Sequence, residues 1–274
     1  MRRRLPQVVT YAAAVALAVF SGGPFVWMLL TSLKPEDEIF SRTPVLWPSE
    51  PLFGRYAEVL ESGFGRALLN SAFVAVATTI AGLAVASLAG YALARFRMPL
   101  RRWLLVLVLS VQMFPAVVLV VPLFVVMRRL GLLESHAGLV LAYLSFTCPL
   151  AIWILKGFVQ GIPAELEEAA MLDGATRVGA MRRVVLPLLA PGLAATAIFS
   201  FIAAWNEFLF ALTFVKDEQL RTLPVALQTF VGLSQTDWGL IMAASVLYTA
   251  PVVLFFLLLH RRLVEGMVAG ALRG

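Results

Sequence analysis

The chain has 274 residues, of which 61% are hydrophobic and only 14% charged, with a formal net charge of +6. Water-soluble domains average ~45–50% apolar and ~25% charged residues, so this composition excludes an ordinary soluble globule and points to an integral membrane protein. A single cysteine, Cys148, and two histidines exclude a disulfide framework and argue against a structural zinc site.

A helix needs ~20 mostly apolar residues to cross the hydrocarbon core. Six segments reach that length, at 8–33, 67–94, 103–127, 137–158, 188–215 and 238–259. The expected fold is therefore all-α and polytopic, with six transmembrane helices in a single domain over 1–274. The first segment follows Arg2, Arg3 and Arg4 as a signal peptide would. Its apolar run continues to Leu33 without a small-residue cleavage site, so it reads as an uncleaved anchor. The longest connection, 34–66, carries four prolines and the aromatics Phe40, Trp47, Phe53 and Tyr56. It reads either as an interfacial loop with an aromatic belt or as part of a docking surface for a soluble partner.

After the second span come Arg95, Arg97, Arg101 and Arg102. The third span holds Gln112 beside Met113 and Pro115, and the fourth holds Cys148 beside Pro149, where the thiol reads as a small packing group. An N-terminus in the cytoplasm assigns 14 of the 22 cations to inside loops and 8 to outside ones, which fits an N-in, C-in topology.

Between the fourth and fifth spans lies a polar island, EAAMLDGATRVGAMRRVVLP at 168–187. Pro163 suits a first helical position, and Glu165, Glu167 and Glu168 then favour the positive end of a helix over 163–172. Ala169 and Ala170 keep one face small enough for close approach by a partner. Gly174 allows a reversal, a second helical piece follows at about 177–185, and Leu186-Pro187 marks re-entry. A helix lying on the lipid surface is the competing reading, supported by Arg182 and Arg183. The acidic first turn argues against attraction to anionic lipid.

Within the fifth span Glu207 follows Trp205 and Asn206. A charge in the middle of a span usually faces a bundle interior or a water-filled cavity. Asn206 and Glu207 therefore either line a path, with Gln112 as a further polar contact, or hydrogen-bond across helices. The tryptophans at 27, 47, 103, 153 and 238 read as interface anchors. No phosphate-binding loop is possible, since none of the three lysines follows a glycine, and neither a zinc-protease nor a nucleophile-elbow motif occurs. The chain thus lacks the signatures of an ATPase or a hydrolase, and no nucleic-acid partner is expected.

The spacing Glu168-Ala169-Ala170, three residues, Gly174, nine residues, Val184, one residue, Leu186-Pro187 resembles the EAA loop of ABC-importer permeases. The runs SLKPEDEIF at 32–40, QMFPAVV at 112–118, FIAAWNEFLFAL at 201–212 and the tail at 261–274 extend the resemblance over essentially the whole chain. They are similar to the smaller permease of maltose-type sugar importers. The resemblance implies a non-catalytic permease subunit in a bacterial or archaeal cytoplasmic membrane, moving a di- or oligosaccharide inward. It also implies a second permease, an ABC ATPase dimer that holds the ATP and Mg, and an extracytoplasmic solute-binding protein. This chain itself would bind no cofactor. Glu168, Ala169, Ala170, Asp173, Gly174, Leu186 and Pro187 would form the ATPase-coupling loop, within 163–187, and the tail at 261–274 would reach toward the ATPase. The alternatives are a related importer's permease for glycerol phosphate or an amino sugar, or a secondary transporter acting alone.

Overall fold

A computed structural model describes residues 4–231 and 236–271, with side chains from 9 to 231 and from 236 to 261. Among the described residues there are helices and turns and no strand. In chain order the α-helices are α1 (Arg4–Ser32), α2 (Glu36–Ile39), α3 (Gly54–Val59), α4 (Gly65–Arg95), α5 (Arg101–Ser110), α6 (Ala116–Arg129) and α7 (His136–Gln160). There follow α8 (Glu165–Leu172), α9 (Arg177–Ala180), α10 (Leu186–Leu188), α11 (Ala190–Trp205), α12 (Leu209–Phe214), α13 (Leu223–Gln228) and α14 (Trp238–Ala271). They fall into two compact units, Met1–Arg66 with Ala226–Ala250, and Ala67–Val225 with Pro251–Gly274.

In the first unit α1 is apolar on all sides and stops at Ser32, just before Lys34-Pro35, where a residue preceding proline disfavours helix. Its end is tied back: Ser32 Oγ bonds the Tyr56 hydroxyl at 2.6 Å, and Leu52 N–H donates to the Leu33 carbonyl at 2.9 Å. Phe64 and Phe230 meet edge to face at 5.6 Å.

The second unit is built on α4 and α7. The buried face of α4 runs through Ser71, Ala75, Thr78, Gly82, Ala86 and Gly90, a stripe of small residues at helical spacing. Such a stripe lets backbones approach closely, which is how helices associate where lipid removes the hydrophobic drive. At Gly90 a side chain would lie only 3.0 Å from the backbone nitrogen of Lys156 on α7. Ser135 caps α7, accepting from Gly138 N–H at 3.1 Å. A core of Ala86, Tyr91, Ala151, Leu155, Val159, Met181, Val185 and Leu189 joins α4 and α7 to the end of the polar island.

The six-span expectation is met only in part. Among the described residues four helical stretches are long and apolar enough to span a membrane, Val9–Ser32, Gly54–Arg95, His136–Gln160 and Trp238–Arg261. Two bent pairs bring the number to six if each counts as one span. The expected third span, 103–127, bends by 103° between Met113 and Ala116. Pro115 lacks an N–H and forces Phe114 out of helical geometry, to ψ 130°, so the ladder stops there. The expected fifth span, 188–215, is not one helix either. It follows a 74° bend near Leu188 and breaks again after Trp205.

Candidate functional site

The polar island folds as two short helical pieces around a sharp reversal. α8 begins two residues after Pro163, with Glu165, Glu167 and Glu168 in its first turn. It ends at Asp173, and Gly174 takes a φ of +89°, a left-handed conformation that a Cβ would strain. Thr176 then caps α9, its hydroxyl accepting from Gly179 N–H at 3.1 Å. Past α9 a wide turn at Met181–Val185 carries the chain into α10.

Glu167 and Glu168 differ by about 100° around the helix, and one is buried while the other is exposed. Glu168 is exposed together with Ala169, Asp173 and Gly174, while Ala170 is half-buried. Glu167 is only 5% exposed. Its carboxylate accepts from the Tyr91 hydroxyl at 2.8 Å and pairs with the Arg95 guanidinium, both from the last turn of α4. Arg95 also donates from Nη2 to the Ile162 carbonyl at 2.7 Å. Next to it, the Phe96 ring receives the Arg177 guanidinium at 5.0 Å and meets Tyr91 edge to face. One short stretch of chain, 91–96, therefore grips both arms of the island.

Leu186 packs onto the core shared with α4 and α7, and Pro187 is exposed. These two lie at the root of the island, apart from the outward face of α8. That face is partly apolar, since Leu172, one turn on from Glu168, is 89% exposed; Leu166 of α8 and Val178 of α9 are exposed as well. Sequence reasoning missed both Glu167 and Leu172. Nothing local singles out Glu167 from Glu165 and Glu168, since residues about 100° apart can both face water; the packing of α8 on α4 decides which is buried.

The second candidate cluster lies at the break after α11. Asn206 is exposed and donates from Nδ2 to the Ile202 carbonyl at 2.9 Å. The Glu207 carboxylate accepts from the backbone of Phe210 at 2.8 Å and of Ala211 at 3.1 Å, so it caps α12. The buried phenol of Tyr143 stands beside the same carboxylate. Gln112 is exposed in the turn before Phe114-Pro115 and, among the described residues, makes no hydrogen bond to Asn206 or Glu207. At the far end of α12, the Glu134 carboxylate accepts from the backbone of Lys216 and Asp217. Of the tail expected to contact an ATPase, 261–274, all but Arg261 lies outside the described side chains, and Arg2 and Arg3 before the first span lie outside the described residues. No group of three or more His, Cys, Asp or Glu residues suited to a metal occurs among the described residues.

Residues 82–268 match the family described as binding-protein-dependent transport system inner membrane component. A sulfoquinovosyl glycerol transport system permease of Agrobacterium fabrum is 40% identical, aligned over 96% of this chain and 93% of the relative. A diacetylchitobiose uptake permease of Streptomyces coelicolor is 39% identical over 95% of each chain. A trehalose/maltose transport permease of Thermococcus litoralis is 38% identical over 98% of each. Among solved structures, a chain of a bacterial ABC transporter involved in alginate import shares the fold, with a TM-score of 0.79 at 22% identity over 95% of this chain and 97% of that one. The chain belongs to the binding-protein-dependent transport inner-membrane family, as a multi-pass, non-catalytic permease subunit of an ABC importer.

Proposed function

We propose that this subunit carries a small glycoside, a di- or oligosaccharide of the trehalose or maltose kind, and that the island at 163–187 is its coupling loop to a cytoplasmic ATPase. The substrate class is supported by the relatives, which are named for trehalose/maltose, diacetylchitobiose and sulfoquinovosyl glycerol. All three are small molecules with a glycosidic bond, and the second keeps an amino sugar open as the cargo. A second permease subunit, an ATPase dimer holding ATP and Mg, and an extracytoplasmic solute-binding protein complete the assembly. A solved bacterial alginate transporter with the same fold is in complex with an oligosaccharide-bound periplasmic protein.

The observation that carries the coupling reading is the division of labour between Glu167 and Glu168. The first locks α8 to α4, and the second leaves a free acidic and apolar face with Ala169 and Leu172 for a partner. A closure of the ATPase against that face would pull on α4 through Arg95 and Tyr91. It would also pull on α7 and α11 through Met181, Val185 and Leu189. The loops that meet support a reading of sidedness. Arg95 meets Glu167 at one end of the second unit, whereas Asn70 holds the carbonyls of Gln219 and Arg221 at 2.9 Å elsewhere. The end carrying Arg95, Arg97, Arg101, Arg102, Arg177, Arg182 and Arg183 is the cytoplasmic one by the positive-inside rule. This supports the reading of N-in and C-in ends with six spans, each bent pair counting as one.

Asn206 and Glu207 stand at the interruption of the fifth span, where freed backbone groups are tolerated if they line a cavity or are buried in protein. We assign Glu207 the upkeep of that break and Asn206 the exposed polar contact on the path, with Gln112 at the equivalent interruption of the third span. The test is Gly174→Asp in the assembled importer. Substrate uptake should be abolished while membrane insertion is normal. Uptake that persists in cells lacking every partner ATPase would refute the reading.

A further inference from the structure

The end of α1 carries a cavity of about 240 Å³ whose walls include Trp27, Thr31, Lys34, Glu38, Phe40 and Trp238. Two of these residues are buried and carry polar side chains. Lys34 is 2% exposed, and its ammonium rests 4.1 Å from the centre of the Trp27 ring. Among the described residues no carboxylate pairs with it. Thr31 is 5% exposed, and among the described residues its hydroxyl has no hydrogen-bond partner. Buried charges are normally paired and hydrogen-bonded, and a ring face compensates an ammonium only in part.

The site is held in shape by the backbone around it. Arg55 donates to the Lys34 carbonyl, Leu52 N–H holds the Leu33 carbonyl, and Tyr56 holds Ser32. The backbone of Lys34 is thereby held before any ligand arrives, and its ammonium lies over the Trp27 ring that also lines the cavity.

Three features identify the ligand. The cavity lies at the ends of two candidate membrane helices, α1 and α14, each presenting a partly exposed tryptophan, Trp27 and Trp238, as at a membrane–water interface. Its orphaned groups ask for an anion: a neutral sugar would satisfy Thr31 but leave the ammonium uncompensated, whereas a phosphodiester offers oxygens to both. Glu38 brings a negative charge to the same wall, already accepting from Ser49 N–H at 3.1 Å, and favours a headgroup that also carries an amine. We propose that this cavity binds the headgroup of a glycerophospholipid, its phosphodiester on Lys34 and Thr31 and its amine toward Glu38.

Native mass spectrometry of the purified importer, titrated with phosphatidylethanolamine and separately with phosphatidylglycerol, tests this. Wild type should hold one phosphatidylethanolamine more tightly than the rest. Lys34→Met should weaken that lipid about tenfold or more, the usual scale of a lost charge-assisted contact. Glu38→Gln should erase the preference over phosphatidylglycerol. Thr31→Val is nearly isosteric and should weaken the same lipid by a smaller factor, so the test stands even where Lys34→Met fails to assemble. Equal retention in Lys34→Met and Thr31→Val would overturn the proposal. So would displacement of the lipid by inorganic phosphate or by trehalose, which would make this a site for a soluble anion or a sugar.

Discussion

Glu167→Gln isolates the mechanical role of the loop from its docking role. The substitution keeps size, shape and an oxygen for the Tyr91 hydroxyl, but removes the charge opposite Arg95, whose side chain is 13% exposed. Charge-assisted hydrogen bonds contribute about 1.5–3 kcal/mol, and stranding one partner of a buried pair costs about 3–5 kcal/mol. Arg95 retains the Ile162 carbonyl and a little water, so the lower figure, about 3 kcal/mol, is the better guide. That is a shift of roughly a hundredfold in the ratio of anchored to released α8. The exposed face with Glu168 and Leu172 is untouched, so the ATPase should still bind. The assay is a reconstituted importer in which ATP hydrolysis and substrate uptake are measured together. Glu167→Gln and Arg95→Met should each lower the substrate moved per ATP while co-purification of the ATPase is unchanged. Unaltered uptake per ATP in both variants would refute transmission through this pair.

Leu172→Asp should act the opposite way: it places a charge on the exposed apolar face without touching the anchor, so the ATPase should fail to co-purify while the permease still inserts. Retained co-purification would remove Leu172 from the interface. Glu207→Ala deletes the cap of α12 and should cost about 1 kcal/mol of local stability, the usual worth of an N-cap. Faster hydrogen exchange at Phe210 and Ala211, with reduced substrate-stimulated ATP hydrolysis, is the expected outcome, and unchanged exchange would show that the break is held by other contacts.

Which parts were legible in the sequence follows from how local their causes are. α8, the reversal at Gly174 and the restart at Arg177 came through because Pro163, the three glutamates and a glycine act within a turn or two of themselves. Apolar length identified α1, α4, α7 and α14, since hydropathy over ~20 residues needs no knowledge of neighbours. The third and fifth segments look equally continuous by that measure, yet they are broken. Pro115 in one and Glu207 in the other are single residues whose effect depends on whether the surrounding bundle absorbs the lost hydrogen bonds. Pro122, Pro149 and Pro251 sit inside unbroken helices, so proline alone does not mark the break.

Glu207 shows how a residue can mislead when only its position in a segment is known. In a continuous helix its charge would have to face a path or a partner across the bundle. The break adds two backbone N–H groups of its own chain, with the Tyr143 phenol of α7 beside the same carboxylate, and so keeps a charge partnered within a membrane-length segment. The interruption and the acid are thus a single feature: α12 starts where Glu207 can cap it, and Glu207 is tolerable because α12 starts there. Glu167 follows the same logic at the other end of the chain's second unit, where its partner Arg95 is 72 residues away in sequence. No local pattern could name that partner. Nothing in the run of glutamates distinguishes Glu167 from Glu165 or Glu168; only the packing of α8 against the basic end of α4 buries it and supplies the cation.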